Sequence, residues 1–474
     1  MSPLASAPFL VILSGWCAGI ALSTKLSPPA ASLAASLFGA GFLLISTKRW
    51  PPGWKRVLPV LLLTVSLPVF FMNLRLHPKT VREESWMGQA WIRTERAWGS
   101  KRAVTLASAK GRLLCLLEPE ARPLEGERVQ VSGTVVPLES LFSVTSEGEF
   151  DPARYWRAKG VEFGFRCSSV AAVDPPGNRK TGWRTRLRKK LLLSLSPLVR
   201  GHLLAAWTGE KDPEVASMHQ RWGTAHLLAV SGFHVGVLGA ILLWCLRRFR
   251  FKLLVCSSLL WGYVFLTGCA SSACRAMGMI QLGFLGPVLA GRPSSPLNSV
   301  SVAGGILLLI NPWLFWDIGW RLSVISALIL CSVVRGGVTP MRGLAASLAI
   351  WMGTSGEASA AFETVPLAGL VLNLFALPAF SFLLPVASVA AIPVLAGFPG
   401  GWVPLWGMEG LFEAWARFAD CTCMIVHWQI ASSPWLWNFS AAIVGGAVAY
   451  GLETGVSNGL ILSLCAFFCG SVFR

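Results

Sequence analysis

The chain has 474 residues, of which 54% are hydrophobic and only 14% are charged. Soluble globular domains carry about 25% charged residues, so this composition excludes an ordinary soluble protein. The formal net charge of +18 has two interpretations. Basic residues anchor the cytoplasmic loops of membrane proteins, and they also attract polyanionic partners such as nucleic acid or anionic lipid.

Three apolar segments open the chain, at about 7–23, 30–46 and 57–74. Each approaches the roughly 20 residues that span a bilayer as a helix. No basic region precedes the first segment, so we interpret it as a retained helix rather than a signal peptide. The link between the second and third segments is basic and is therefore predicted to be cytoplasmic, with Lys48, Arg49, Lys55 and Arg56. This predicts a cytoplasmic N-terminus and an external stretch over residues 76–210.

The external stretch has a β pattern. Val129, Val131 and Val135 alternate with polar residues and fall on one face of a strand over 127–137. Similar short runs occur at about 88–96, 102–109, 111–117 and 160–171. Five short strands predict a small OB-like barrel, with a sandwich fragment as the alternative.

Residues 183–207 form a basic amphipathic stretch that is typical of an interfacial helix. Apolar helices follow, and a second basic cluster at 247–252 indicates that the first of them runs inward. The predicted spans lie near 225–246, 252–268, 272–290, 297–311, 315–333, 342–355, two within 362–398, 436–451 and 456–472. Pro287, Pro312, Pro378 and Pro385 interrupt several of these segments, and broken helices at membrane depth favour a transporter or channel core.

The predicted fold class is therefore mostly α, a polytopic helical membrane protein with a small extracytoplasmic β domain. The domains are predicted at 1–75 (N-terminal transmembrane helices), 76–180 (OB-like), 181–224 (basic interfacial helices) and 225–474 (transmembrane domain).

Polar residues inside the apolar segments are candidates for function, because they are costly in the bilayer and usually face an aqueous path. His226, Ser231 and His234 lie in one such segment, with the two histidines two helical turns apart on one face. Packing histidines are an equally plausible interpretation. Asp317 and Arg321 are four residues apart, so they could simply pair with each other. Arg275 and Asn373 are single polar residues in apolar surroundings.

Enzymatic and metal chemistry are poorly supported. No Gly-x-Ser-x-Gly elbow accompanies Ser231, His234 and Asp317 as a hydrolytic triad. The cysteines form no Cys-x-x-Cys pair, and the histidines form no metal-binding cluster. We therefore predict no catalytic residue, metal or cofactor. Cys115 and Cys167 are the two cysteines of the predicted external domain, where an oxidising compartment permits a disulfide. Two buried free thiols are the alternative.

Four segments of the chain form a recognisable series: HLLAVSGFH (226–234), GCASSACRA (268–276), DIGWRLSVISA (317–327) and NLFALP (373–378). They occur in the order found in the ComEC family of DNA-uptake channels, and the chain resembles that family over about residues 30–400. The stretch GEFDPARYWRAKGV (148–161) is similar to the extracytoplasmic domain of that family. The resemblance implies an OB-like domain outside the membrane and a helical channel that carries one DNA strand inward, without enzymatic activity of its own.

Two features depart from the family pattern. Many members carry a C-terminal metallo-β-lactamase-like domain, whereas this sequence ends at Arg474, so we expect a separate nuclease. Cys274 stands before the motif arginine, and Trp320-Arg321 replaces the commoner Phe-Gln. Other expected partners are single-stranded DNA, membrane lipids, a periplasmic or surface DNA receptor and a cytoplasmic DNA-translocating ATPase. The expected location is a bacterial inner membrane.

Single-stranded DNA binds to cationic grooves and to aromatic platforms. The stretch from Arg75 to Lys190 contains 22 basic and 13 acidic residues, together with Trp86, Trp91, Trp98 and Trp156. We predict external DNA contacts at Arg184, Arg186, Arg188, Lys189 and Lys190.

The predicted channel path is lined by His226, Ser231, His234, Arg275, Asp317, Arg321 and Asn373. The rival functions are a transporter or flippase for an anionic lipid or small solute, and an enzyme acting on a membrane-embedded substrate.

Overall fold

A computed structural model describes residues 8–25, 83–118, 126–142, 151–173, 183–290, 295–334, 337, 339–398 and 400–451. The chain forms two compact units. The barrel unit is His77–Leu193, and the helical unit is Met1–Leu76 with Ser194–Arg474. The apolar segments predicted at 30–46, 57–74 and 456–472 lie outside the described residues.

The described strands are β1 (Glu84–Trp98), β2 (Lys101–Ser108), β3 (Gly111–Leu117), β4 (Arg128–Val136), β5 (Phe163–Ala172), β6 (Thr364–Pro366) and β7 (Gln429–Ala431). The described α-helices are α1 (Pro8–Lys25), α2 (Pro152–Ala158), α3 (Trp183–Ser194), α4 (Pro197–Thr208), α5 (Pro213–Arg221), α6 (Gly232–Cys245), α7 (Lys252–Leu266), α8 (Ser271–Ala290), α9 (Pro296–Ile310), α10 (Ile318–Val333), α11 (Pro340–Phe362), α12 (Ala368–Ala396), α13 (Trp402–Ile425) and α14 (Pro434–Gly451). Short 3-10 turns cover Leu138–Leu141, Ala225–Leu227 and Pro312–Trp316.

The first five strands close into a small barrel in the order β1-β2-β3-β5-β4. Strand β1 pairs with both β2 and β4, which closes the sheet and rules out the sandwich alternative. Strands β3 and β5 run parallel, and the other pairs are antiparallel. Alternate residues of the strands fill the interior, including Val104, Leu113, Val131 and Phe165. The prediction of a mostly helical chain with a small β-barrel is therefore confirmed.

The helical unit is built from apolar helices packed side by side. One buried cluster joins α1, α9 and α10 through residues such as Ile20, Val300 and Val324. A second cluster joins α6, α7 and α8 through residues such as Val235, Leu260 and Met277. Helix α11 packs against both α10 and α14, and α12 packs against α13.

One described helix, α12, is long and apolar enough to cross a membrane by length and composition. At a rise of 1.5 Å per residue, its 29 residues span about 43 Å. Five shorter apolar helices accompany it: Ile12–Ala21, Gly232–Cys245, Lys252–Leu266, Pro296–Ile310 and Ile318–Val333.

Three of the predicted spans were wrong. The segment predicted as one helix over 225–246 contains a 3-10 turn and then a helix that begins only at Gly232, because Ser231 caps its N-terminus. His226 and His234 therefore do not share a helix. The two spans predicted within 362–398 form the single helix α12, although it contains Pro378, Pro385 and Pro393. The Ser381 hydroxyl donates to the carbonyl of Pro378 (2.7 Å) and helps to satisfy the backbone there.

Candidate functional site

The site begins at the N-terminus of α6, where Ser231 and His234 form a capping box. The backbone N–H of Ser231 donates to Nδ1 of His234 (3.2 Å), and the Ser231 hydroxyl lies 3.0 Å from the same nitrogen. Nδ1 is therefore an acceptor, and the ring proton is on Nε2. In a hydrolytic triad the acidic residue orients Nδ1. Because Ser231 occupies that nitrogen, the arrangement is that of a helix cap.

Two small residues at the start of α8 tie three of the sequence motifs together. The Ser272 hydroxyl donates to the carbonyl of Val230 (2.5 Å), which precedes the α6 cap. The adjacent Ser271 hydroxyl donates to Oδ2 of Asp317 (2.7 Å), at the start of α10. The short side chains of this stretch allow the close approach of helices on which these contacts depend.

Asp317 caps α10. Its Oδ2 accepts the backbone N–H of Trp320 (3.2 Å) as well as the Ser271 hydroxyl. The side chain is 5% exposed, so these hydrogen bonds compensate for the burial of a carboxylate, and the negative charge lies at the positive end of the helix. Asp317 thus orients α10 relative to α8.

Arg275 lies on α8 at the meeting point of these elements and is 6% exposed. Its Nε donates to the hydroxyl of Ser323 on α10 (2.8 Å), and its Nη1 lies 2.9 Å from the sulfur of Met279. A Cβ on Gly232 of α6 would lie only 3.0 Å from Nη2, so the guanidinium reaches the α6 cap. These partners are neutral. Among the described residues, no carboxylate forms an ion pair with Arg275.

Arg321 is directed elsewhere. Its Nη2 bonds to Oε1 of Glu357 on α11, and its guanidinium lies 5.6 Å from the ring centroid of Trp437 on α14. Glu357 is 7% exposed. Ser323, which contacts Arg275, is two residues further along α10 and so points about 200° away around the helix. The spacing of residues in the sequence had suggested Asp317 as the partner of Arg321 and gave no indication of Glu357.

The remaining predicted path residues, His226 and Asn373, lie apart from these contacts. His226 is exposed in the 3-10 turn before α6. Asn373 is half-buried on α12, and its Oδ1 is buried without a hydrogen-bond partner among the described residues. The contacts of Ser271, Ser272 and Ser323 thus bring together the starts of α6, α8 and α10, which carry Ser231, His234, Arg275 and Asp317. His226, Asn373 and Arg321 occupy other positions.

The helical unit also contains a buried pair of histidines that the sequence did not predict. Nε2 of His202 on α4 lies 3.0 Å from Nε2 of His219 on α5, and Nδ1 of His219 lies 2.9 Å from the Thr224 hydroxyl. Burial lowers the pKa of His202 to about 4 and that of His219 to about 2, so both rings are neutral at pH 7. Two neutral rings can share one N–H···N bond, which joins α4 to α5.

In the barrel unit, Cys115 on β3 and Cys167 on β5 lie side by side in the interior. Both are free thiols, and the Cys115 thiol bonds to the sulfur of Cys167. That hydrogen bond is the main reason why the pKa of Cys115 is raised, and burial of the thiol raises it further. The same bond lowers the pKa of Cys167. The proximity is compatible with the predicted disulfide, which stays a prediction.

The five predicted external DNA contacts all lie on α3, outside the strands of the barrel. Arg186, Lys189 and Lys190 are exposed and Arg188 is half-buried. Arg184 occupies the second position of the helix.

Comparison with known proteins identifies relatives of the chain. The profile of the family described as "Competence protein" matches residues 203–454. ComE operon protein 3 of Bacillus subtilis (strain 168) is 27% identical over 315 residues, which are 63% of this chain and 39% of that protein. The uncharacterized protein YcaI of Escherichia coli (strain K12) is 24% identical over 351 residues, which are 62% of this chain and 44% of that protein. The matches therefore span about two fifths of the length of these curated relatives. No solved structure gives a significant match.

Proposed function

Because the chain belongs to the competence protein family, we propose that it is an inner-membrane channel that translocates single-stranded DNA into the cytoplasm. Membership of the family supports a role in DNA uptake. Beyond that role, we propose that the DNA passes as a single strand, that the chain crosses the membrane several times, and that the residues named below contact the strand. In this proposal the barrel unit is an OB-like domain outside the membrane, and the strand then passes the helical unit near α6, α8 and α10.

The observation that carries the proposal is the environment of Arg275. A buried charge without a counter-ion is costly, and proteins retain such groups mainly where an ion or substrate compensates for it. The contacts of Arg275 to Ser323 and Met279 are neutral, so its charge remains available to an anion. A phosphodiester supplies one negative charge per nucleotide, and a guanidinium matches its oxygens well.

The neighbouring groups support movement rather than tight binding. Ser231 and His234 contribute neutral polar atoms, and Asp317 is fully engaged as a helix cap. A strand that meets one fixed cation among neutral groups is stabilised but not trapped, as conduction requires. We assign Arg321 a supporting role in this path, because it is held by Glu357 on the other side of α10.

A labelled-DNA uptake assay tests the proposal in a strain that lacks the gene and is complemented with variants. A hydrogen-bonded charge contributes about 1.5–3 kcal/mol, so Arg275→Ala should lower uptake by at least about tenfold. Arg275→Lys, which keeps the charge, should retain part of the activity and guards against a purely structural effect. The matched control is Arg417→Ala on α13, where the side chain is 81% exposed.

Uptake by Arg275→Ala at the wild-type level, with equal amounts of protein in the membrane, would contradict the assignment of the path. Normal DNA uptake in the strain without the gene would remove the channel function altogether. A change in the leaflet distribution of an anionic lipid in that strain, without a change in uptake, would instead favour the flippase.

A further inference from the structure

The outer face of β2 and β3 is covered by other parts of the barrel unit. Val104 and Leu113 point into the barrel, so the alternation of side chains places Ala103 and Leu114 on the outside. Both outer residues are fully buried, because Leu138 of the 3-10 turn that follows β4 and Trp156 of α2 pack over them. OB folds bind oligonucleotides on the face of strands 2 and 3. In this barrel that face is occupied, and a ligand must bind elsewhere.

The outer face of β1, β4 and β5 carries exposed side chains among the residues that the structure describes. The register of these antiparallel strands places Trp91 opposite Arg128, Gln89 opposite Gln130, and Ser132 opposite Ser169. All six side chains are at least partly exposed, and none of them is acidic. The side-chain oxygens of Ser132 and Ser169 are 2.7 Å apart. The face is therefore polar, carries positive charge and contains one large aromatic ring.

Trp91 and Arg128 form the centre of this face. The Trp91 side chain is 49% exposed, and the guanidinium carbon of Arg128 lies 5.5 Å from its ring centroid. The cation–π contact restrains the ring, and the exposed half of the side chain leaves an aromatic surface accessible. No carboxylate among the described residues forms an ion pair with Arg128, so its charge can serve a phosphate.

The other three tryptophans of β1 and α2 are committed to packing. Trp156 is 1% exposed. Trp86 packs against Phe165 in the barrel interior, with ring centroids 5.9 Å apart. Trp98 belongs to the covered side and packs against Tyr155 and Trp156. Of these four rings, Trp91 is the one positioned to stack on a base.

We propose that the face of β1, β4 and β5 centred on Trp91 and Arg128 binds single-stranded DNA, in place of the covered face of β2 and β3. The inference rests on the proposed function, since it names the surface on which that substrate is first held. An unpaired base stacks on Trp91, and Arg128 binds an adjacent phosphate. Gln89 and Gln130 offer donors and acceptors that suit any base, so binding should depend little on sequence.

The experiment measures binding of a fluorescein-labelled oligothymidylate of about 12 nucleotides, a length within the site sizes of OB folds. The full-length protein is used in detergent, and fluorescence anisotropy is followed over a range of salt concentrations. Trp91→Ala should weaken binding about tenfold, and Trp91→Phe, which keeps a stacking ring, should stay within about threefold of wild type. Arg128→Ala should weaken binding and reduce the slope of log K against log salt by about 0.7.

Arg112→Ala is the matched control, because Arg112 is an exposed arginine on β3, away from the face of β1, β4 and β5. It should bind the oligonucleotide within about twofold of wild type, since a single remote charge contributes little at moderate salt. Wild-type affinity and an unchanged salt slope in both Trp91→Ala and Arg128→Ala, with a wild-type protein that binds DNA and supports uptake, would overturn this inference alone. A wild-type protein that supports no uptake would instead overturn the proposed function.

Discussion

The guanidinium of Arg321 links α10 to Glu357 on α11 and lies near the ring of Trp437 on α14. Local spacing offered Asp317, four residues earlier, as its partner. In the structure the guanidinium bonds to Glu357, which lies 36 residues later on α11. Asp317 is used to cap α10 and to hold Ser271. Helical spacing predicts contacts within one helix, but it contains no information about which other helix packs beside it.

Glu357→Gln is expected to destabilise the protein. The change removes the buried carboxylate that bonds to the half-buried guanidinium of Arg321, and breaking a pair that is shielded from solvent in this way costs about 3–5 kcal/mol. Thermal unfolding in detergent measures the effect. Replacing both partners, Glu357→Gln with Arg321→Gln, should recover part of the loss, because no unpaired charge then remains.

Glu413→Gln is the control, since its bond to Arg417 is exposed and such pairs contribute about 0–1 kcal/mol. Equal melting temperatures for Glu357→Gln and Glu413→Gln would show that the pair is not structural.

Among the secondary-structure elements, the strands were predicted best, because their side chains alternate with a period of two. The alternation at 127–137 and the neighbouring runs located all five strands of the barrel, because a period of two needs few residues to be recognised. The helix cap at Ser231 was hidden inside an apolar run, and the prolines of α12 suggested a break that packing and a serine side chain prevent. Helix α13 was not predicted as a span, because Glu409, Glu413, Arg417 and Asp420 interrupt its apolar residues.

The contact between β3 and β5 gives a prediction about the barrel. Cys115 and Cys167 should form a disulfide in protein taken from an oxidising compartment, closing a loop of about 50 residues and stabilising the barrel by about 4 kcal/mol in the chain-entropy model. Alkylation followed by mass measurement, with and without prior reduction, detects the bond.

In reduced protein Cys167 should be alkylated before Cys115, because its pKa is lowered while that of Cys115 is raised. Cys245→Ser, at an exposed cysteine, is the control for thermal stability, and Cys167→Ser should lower it. Complete alkylation of both thiols without reductant would contradict the disulfide.

For the whole molecule, the sequence located the change from helices to a β unit, since composition and hydropathic period both change there. It did not show how the sequence motifs meet, because Ser271, Ser272 and Arg275 link α6, α8 and α10 across 42 to 48 residues of chain. It also did not show that α2 covers one face of the barrel. Contacts of this kind depend on the packing of elements that are distant in sequence.

The placement of basic residues leads to a prediction for the whole chain, namely that the N-terminus is cytoplasmic and residues 76–210 are external. Two basic clusters, at 48–56 and at 247–252, flank this stretch and are both predicted to be cytoplasmic. A cysteine introduced by Ser146→Cys, in a stretch outside the described residues, should react with a membrane-impermeant maleimide in intact spheroplasts. The wild-type chain gives the background from its own cysteines, and Arg248→Cys, at an exposed position of the second cluster, should react only after the membrane is permeabilised. Protection of Ser146→Cys together with labelling of Arg248→Cys would invert the topology. The barrel unit would then lie in the cytoplasm, where it could not receive incoming DNA.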